Sequence, residues 1–331
     1  MIAVEDTGPV VGSAPGRTCP LHYRYRPEDF AIDAPEHLHA LDVLYVVGGL
    51  YGNELALDRV LDLFDREHGR KQLVFNGDFH WFDADPEVFA RVQRAVLGHE
   101  ALRGNVETEL ADTGAHADAG CGCAYPDWVG DGVVERSNRI LARLRTAADA
   151  GQRAALAALP MWQRADVGPL RLGIVHGDAT SLAGWGFAQE HLRAADHRAE
   201  VARWLDRAGV DAFACTHTCL PVFQAVSASQ GRRARWILNN GAAGMPNFRG
   251  DAAGLLTRIA IEPSAHAHKR FGVELGGGVV AEAMAIDIDL PQWRSGFEAL
   301  WPPGSDAHVS YFDRILRGPD YAANDAVRPL A

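Results

Sequence analysis

The feature that most constrains this chain is a repeated pairing of a short apolar run with a polar, mostly glycine-containing segment. The polar segments are residues 48–53, 76–80, 104–107, 176–178 and 216–219, and each follows an apolar run of strand length. Apolar residues at helical spacing follow the first of them, at Leu57, Val60, Leu61 and Phe64. Alternating strands and helices predict an α/β fold. Because ligands of open α/β sheets bind beyond the carboxyl ends of strands, we expect the five segments to form one site.

The periodicity also predicts the elements and the extent of the folded unit. Strands are expected at 42–47, 72–75, 170–175, 212–215, 222–226, 235–239, 256–261 and 282–290. Helices are expected after Asn53, after Asp85, within 133–159, over 190–208 and twice near the C-terminus, whereas 101–109 is expected to be a strand leading into a loop. Residues 40–318 are expected to form one domain, with an N-terminal arm at 1–39 and a C-terminal tail at 319–331.

Composition excludes several classes of protein. The 331 residues carry a net charge of −11, and 47% of them are apolar. A general nucleic-acid binder needs a basic surface, so this charge argues against one and against an anionic-membrane binder. The sequence has no run of about 18 apolar residues, so no membrane span is expected.

The cysteines and the N-terminal residues predict a compartment. Five cysteines are an odd and small number for this length, which favours a reducing compartment over a disulfide scaffold. The sequence begins without a basic segment or an apolar core of the kind that signal peptides have. A cytoplasmic location is therefore expected.

Six loop motifs follow one another along the chain. They are GGLYGN, NGD, RGNVE, VHGD, THTCLP and NNGAAGMP. Their order resembles the calcineurin-like metallophosphoesterases, and most of all their compact bacterial branch of small phosphodiesterases and nucleotide phosphatases. That family has Asp-x-His-Gly-Asn, Gly-Asp, Gly-Asn, His-Gly, Gly-His-Thr-His-x-Pro and Asn-Pro-Gly-Ser in this order. Single motifs of this length are weak, but six in order over residues 42–318 are specific.

The resemblance implies a fold and a set of metal ligands. The family fold is α/β, a central β-sandwich flanked by helices, with two metal ions at the strand ends. The bridging carboxylate of the family matches Asp78, and the remaining ligands of the second ion match Asn105, His176 and His217. Imidazoles and hard oxygens suit a divalent Mn, Fe, Zn or Ni ion. The resemblance thus implies catalytic and metal-binding roles for these four residues.

The ligands of the first ion are replaced. The family Asp falls on Gly49, one family His falls on Tyr51 and another falls on Cys219. A phenol is a poor ligand for a divalent ion, so we expect Tyr51 to donate a hydrogen bond to a substrate phosphate. Cys219, His80 and Tyr51 remain further candidate ligands. We expect one tightly bound ion per chain and a first site that is empty or held weakly by Asp78, His80 and Cys219.

Each candidate also has a structural interpretation. In that interpretation, Asp78 caps a turn or a helix, and Asn105 bonds to the backbone of its own loop. His176 and His217 would then be histidines of the core. For these four, the matching loops favour ligation. For Cys219, a buried apolar filler and a ligand are equally supported.

The other candidates are less specific. His80 is either a site residue or a loop residue, and Arg103 and Arg249 are either phosphate ligands or surface charges. Cys121 and Cys123 lie in an insertion, 110–132, that is expected to border the cleft; packing or redox chemistry suits them better than metal binding.

This pattern supports two functions and argues against a third. The first is hydrolysis of a phosphate mono- or diester, with a small phosphate-containing substrate. The alternative is a non-catalytic relative that binds a metal, a nucleotide or a partner in the same cleft. A dinucleotide-binding turn at Gly48, Gly49 and Gly52 fits poorly, because the glycine spacing differs, the second strand ends in Gly-Asp and the other loops have no role in such a site.

Overall fold

The computed structural model describes residues 15–17, 19–32, 37–112, 114, 119–226 and 234–330. Their strands are β1 (Leu38–Leu41), β2 (Val43–Val47), β3 (Lys71–Asn76), β4 (Glu100–Leu102), β5 (Trp162–Val167), β6 (Leu170–Val175), β7 (Ala212–Cys215), β8 (Val222–Val226), β9 (Arg235–Asn239), β10 (Gly254–Ala260), β11 (Lys269–Gly276), β12 (Val279–Ile286) and β13 (Val327–Arg328). Their α-helices are α1 (Glu54–Asp65), α2 (Pro86–Val96), α3 (Asn105–Ala111), α4 (Asp131–Leu144), α5 (Ala150–Ala157), α6 (Ala195–Ala208), α7 (Leu290–Leu300) and α8 (Asp306–Arg317).

The strands form two sheets. In the described residues the first sheet has the order β1-β5-β6-β7-β9-β8-β13 and the second has the order β11-β12-β10-β2-β3-β4. Strands β2, β3 and β4 run parallel in the second sheet, and β6, β7 and β9 run parallel in the first. The carboxyl ends of these strands therefore lie together at one end of each sheet, where the sequence predicted the site.

The two sheets pack face to face, and helices cover their outer faces. In β2, Leu44 and Val46 join a cluster with Ile174 and Leu238 of the other sheet, whereas Tyr45 joins the cluster that contains α1 and α2. Because both faces of β2 are buried, its sequence is apolar throughout rather than alternating. Helix α6 covers the outer face of the first sheet with its apolar residues. The result is the sandwich flanked by helices that the resemblance implied.

The segments outside the expected domain take part in the fold. Strand β1 crosses the expected boundary between residues 39 and 40, and Tyr23 and Phe30 of the arm are fully buried. Strand β13 lies in the expected tail and pairs in parallel with β8. Among the residues that are described, no helix has both the length and the apolarity needed to span a membrane.

Candidate metal centre

Asp78 projects from a tight turn after β3. Its backbone is left-handed, with φ of +51°, and Gly77 before it is left-handed as well. A Cβ at Gly77 would lie 2.5 Å from the Gly104 nitrogen and 2.6 Å from His176 Nδ1, so only glycine fits there. This close approach of three loops places the Asp78 carboxylate beside His176, with 3.4 Å between Oδ1 and Nε2.

Glu107 holds the Asp78 turn in place and was not identified from the sequence. Its buried carboxylate accepts the backbone N–H groups of Asp78, Phe79, His80 and Gly104 at 2.8 to 3.3 Å. A carboxylate that accepts several N–H bonds fixes a loop firmly. The sequence did contain an indication, since a Glu three residues after an N-cap position is typical of a capping box.

Asn105 is the first residue of helix α3, where the sequence was expected to form a loop. Its Nδ2 donates to the Cys121 carbonyl at 2.9 Å, which fixes the amide orientation. The amide oxygen therefore points to His176 Nε2, at 3.1 Å. The helix start, rather than a loop, thus aims this oxygen into the site.

Each of the two histidines turns one ring nitrogen toward the other. His176 Nδ1 lies 2.9 Å from the Asn76 carbonyl and His217 Nε2 lies 3.1 Å from the Cys123 carbonyl. A carbonyl can only accept, so each ring uses its one neutral-state proton there. The remaining nitrogens, His176 Nε2 and His217 Nδ1, face each other at 3.2 Å. Two lone pairs at this distance repel unless a cation or a proton lies beside them.

This arrangement fits a metal ion. Ligand atoms of Asp78, His176 and His217 all lie within 4.8 Å of one another, and all three residues are buried. Two nitrogens bound to one ion at about 2.0–2.1 Å are roughly 3.0–3.4 Å apart, which matches the observed His176–His217 separation. With the Asn105 oxygen, the donor set is two imidazoles and two oxygens, which suits a divalent transition ion. We refer to these four residues as the ligand half of the cleft.

Electrostatics in the ligand half also favour a cation. Burial raises the pKa of Asp78, but His176 and His217 outweigh it, so that the pKa lies below its usual range. Burial, followed by the neighbouring His176, lowers the pKa of His217 to about 4. Burial lowers the pKa of His176, but Asp78 and the Asn76 carbonyl outweigh it, so that this pKa lies above its usual range. The site thus holds a carboxylate, a neutral His217 imidazole and a His176 ring whose surroundings favour a positive charge.

The opposite side of the cleft, which we call the Tyr–Cys half, consists of Gly49, Tyr51 and Cys219. The Tyr51 hydroxyl lies 2.8 Å from Cys219 Sγ. A Cβ at Gly49 would lie 3.0 Å from the Tyr51 ring, so this ring occupies the space beside position 49. Burial raises the pKa of both Tyr51 and Cys219, so both groups hold their protons. These side chains therefore satisfy each other in their neutral forms.

Three further candidates lie elsewhere. His80 is fully buried, its Nδ1 lies 2.6 Å from Asp83 Oδ2, and its ring stacks on Phe89 at 3.6 Å. Arg103 does not line the cleft, and its Nη1 lies 3.4 Å from the Ala157 carbonyl. Arg249 pairs with Asp320 at an exposed position. The structure therefore brings neither arginine into the cleft and places His80 in a separate buried pair.

A cavity of about 240 Å³ opens onto the two halves. Its described lining residues are Tyr51, Asp78, Trp81, Asn105, Val106, Cys123, Tyr125, Val129, Val133, Trp185, His217, Thr218, Cys219, Ser310 and Tyr311. Cys123 and Tyr125 belong to the insertion at 110–132, so its described part borders the cleft as expected; residues 113 and 115–118 lie outside the described residues. The aromatic character of this cavity was not predicted.

Comparisons with known proteins support the fold. No protein-family model matches this sequence, and no curated protein matches it. The chain is similar to the solved structure of a hypothetical protein from Pyrococcus horikoshii OT3, with a TM-score of 0.55 and 13% identity, over 84% of this chain and 99% of that one. It is also similar to a metallophosphoesterase from Sphaerobacter thermophilus, with a TM-score of 0.50 and 15% identity, over 84% and 100%. The chain has the α/β calcineurin-like metallophosphoesterase fold.

Proposed function

We propose that this protein is a metal-dependent phosphoesterase that holds one divalent ion tightly through Asp78, Asn105, His176 and His217. The observation that carries the proposal is the pair of imidazole nitrogens, 3.2 Å apart, beside a cavity. A carboxylate and an amide oxygen complete the donor set around them. The substrate would be a small phosphate mono- or diester.

The chain's own residues have distinct roles in this proposal. A bound ion supplies Lewis acidity toward a phosphoryl oxygen and lowers the pKa of a water molecule. Asp78 supplies the only negative charge of the ligand set, and the carbonyls of Asn76 and Cys123 fix the histidine tautomers. The Tyr51 hydroxyl is a neutral donor that lines the cavity and can bind a phosphate oxygen.

The alternative function, a non-catalytic binding protein, is favoured by one observation. The Tyr51 ring fills the space beside Gly49, where the family has a metal-ligating Asp. A cleft without a second ion supports less phosphoryl transfer than a two-ion site does. In this alternative the ligand half would bind an ion without turnover.

Elemental analysis combined with an activity screen tests the proposal. The purified protein should contain one transition ion per chain after dialysis and should hydrolyse a 4-nitrophenyl phosphate mono- or diester when Mn²⁺ is added. His217→Ala should lose both properties. His68→Ala, which removes an exposed histidine, is the matched control and should retain them. One ion per chain without turnover would support the binding protein, and no bound ion would contradict the phosphoesterase.

A further inference from the structure

We infer that the cavity accepts a phosphodiester that carries a single negative charge and a planar aromatic ester group, in preference to a phosphate monoester. The inference rests on the proposed function and specifies its substrate class. It depends on the charge of the cavity wall, on its hydrogen-bond donors and on its aromatic side chains.

The cavity wall offers very little positive charge. Among the described lining residues, Asp78 is the sole carboxylate, and there is neither a lysine nor an arginine. Two guanidinium groups lie behind the wall and bond to its residues without lining the cavity: Arg136 donates to Ser310 Oγ at 2.8 Å, and Arg314 donates to the Cys219 carbonyl at 2.7 Å. With Asp78 ionised and the imidazoles neutral, a bound divalent ion leaves one net positive charge.

This charge matches a diester better than a monoester. A phosphate monoester carries about −1.5 to −2 charges at pH 7, since its second pKa is about 6. A diester carries one negative charge and would neutralise the site. The second charge of a monoester would remain without a cationic partner in a largely apolar cavity, which is costly.

The hydrogen-bond donors of the cavity are neutral. Four of the lining residues carry hydroxyl groups, Tyr51, Thr218, Ser310 and Tyr311, whereas the Asn105 and Trp185 N–H groups bond to backbone carbonyls. Hydrogen bonds between neutral donors and a phosphate are weaker than those of an arginine fork. They suffice to orient a monoanion but do not replace the missing cation.

Aromatic side chains suit a planar ester group. The rings of Tyr125 and Trp185 have centroids 6.1 Å apart, and those of Trp81 and Tyr311 have centroids 6.5 Å apart. All four rings line the cavity, and Trp185 is fixed by its bond to the Cys123 carbonyl at 2.9 Å. Aromatic groups pack on one another edge to face or offset, so a phenyl or nucleobase ring has several partners here.

The size of the cavity favours a small substrate. Ligand pockets usually measure roughly 300–1,000 Å³, and this one measures about 240 Å³. Hydrolysis would add water across one P–O ester bond: the water oxygen bonds to phosphorus, and the released alcohol or phenol takes a proton. The monoester product then carries more negative charge than the substrate did, which favours its release.

Binding of hydrolysis-resistant analogues tests the inference without relying on turnover. Calorimetric titrations of the manganese-loaded protein at pH 8.5 would compare diphenylphosphinate, dimethylphosphinate and phenylphosphonate, whose P–C bonds resist hydrolysis. We expect diphenylphosphinate to bind at least tenfold more tightly than either of the others. Equal or tighter binding of phenylphosphonate would overturn the charge argument, and equal binding of dimethylphosphinate would overturn the aromatic one.

Variants at the wall sharpen the test. Val133→Lys adds a cation to the lining, and Val133→Gln adds polarity of similar size without charge. In the lysine variant, the affinity for phenylphosphonate divided by that for diphenylphosphinate should rise at least fivefold over its value in the unsubstituted protein. In the glutamine variant this ratio should not change. Tyr311→Leu should reduce the advantage of diphenylphosphinate over dimethylphosphinate, whereas Tyr311→Phe should preserve it. Identical ratios in all four variants would contradict the inference.

Turnover separates this inference from the proposed function. Metal-dependent hydrolysis of bis(4-nitrophenyl) phosphate in preference to 4-nitrophenyl phosphate would support both. A metal-dependent preference for the monoester would overturn the inference and leave the proposed function standing. Tight diphenylphosphinate binding without hydrolysis of either compound would support the ligand class and reject the phosphoesterase.

Discussion

The ligand half and the Tyr–Cys half of the cleft lie side by side but differ in side-chain chemistry. The first loop is held by main-chain bonds: Gly49 N to the Gly77 carbonyl at 3.2 Å, Tyr51 N to the Asp78 carbonyl at 3.1 Å and Gly244 N to the Gly49 carbonyl at 2.9 Å. None of these bonds depends on a side chain. The loop can therefore keep its position whether or not position 49 carries a ligand.

Side chains decide what each half can bind. In the ligand half, two imidazole nitrogens and a carboxylate converge at the separations that a shared cation would set. In the Tyr–Cys half, a hydroxyl and a thiol form a hydrogen bond with each other, and the Tyr51 ring fills the space. The architecture of a metal centre and its capacity for metal are therefore separable, because the backbone specifies the first and a few side chains specify the second.

The largest expected effect comes from removing a donor from the ligand half. Asp78→Asn removes its one negative charge, and His217→Ala removes one of its two imidazoles. Loss of an outer partner of a metal site typically costs 10–100-fold in affinity or activity, and loss of a ligand should cost more. Metal content after dialysis and turnover should both fall to background. Retention of metal in both variants would place the ion elsewhere.

The second prediction restores the Tyr–Cys half. The triple substitution Gly49→Asp, Tyr51→His and Cys219→His supplies the donors that the resemblance associates with a first ion, and it removes the ring that fills the space. Gly49 has φ of +66°, which Asp adopts more readily than most residues do. Elemental analysis should rise from one to two ions per chain. Gly49→Asp alone is the control, and because Tyr51 still blocks the site it should remain at one ion.

The third prediction concerns the support of the ligand half. The Glu107 carboxylate accepts hydrogen bonds from four backbone N–H groups. In Glu107→Gln, an NH₂ group would replace one of the two acceptor oxygens and would face N–H donors. Leaving buried donors without acceptors costs about 1–3 kcal/mol. Urea denaturation should show this loss, and the metal affinity should fall because the Asp78 turn loosens. Glu87→Gln, on the exposed face of α2, should change neither value.

Much of the fold could be predicted because its central strands are uniformly apolar. Strands β6, β7, β8 and β9 begin and end where the sequence predicted, since both faces of each are buried or nearly so. Strand β11 was missed because alternate residues are exposed and its apolar pattern is weak. Strand β5 alternates between buried and half-buried residues, but one of its buried residues is the polar Gln163, so its apolar pattern is weak as well.

The site was predictable where a motif fixes both the backbone and the donor, as at His176 and His217. It was not predictable where a turn redirects a side chain. His80 follows Asp78 by two residues, but the left-handed backbone of Asp78 sends the chain to Asp83 and Phe89 instead. Arg249 pairs at the surface with Asp320, which lies far along the chain, and local spacing cannot show such a pair.

The smallest expected effect distinguishes a donor from a ligand in the Tyr–Cys half. Tyr51→Phe keeps the ring that fills the space and removes only the hydroxyl. A neutral hydrogen bond contributes about 0.5–1.5 kcal/mol, so turnover should fall roughly 2–10-fold while the metal content stays at one ion per chain. Tyr125→Phe is the matched control, because the Tyr125 hydroxyl lies 3.1 Å from Ser137 Oγ. If Tyr51→Phe instead lost metal, the phenol would be a true ligand, and residues of both halves would bind the same ion.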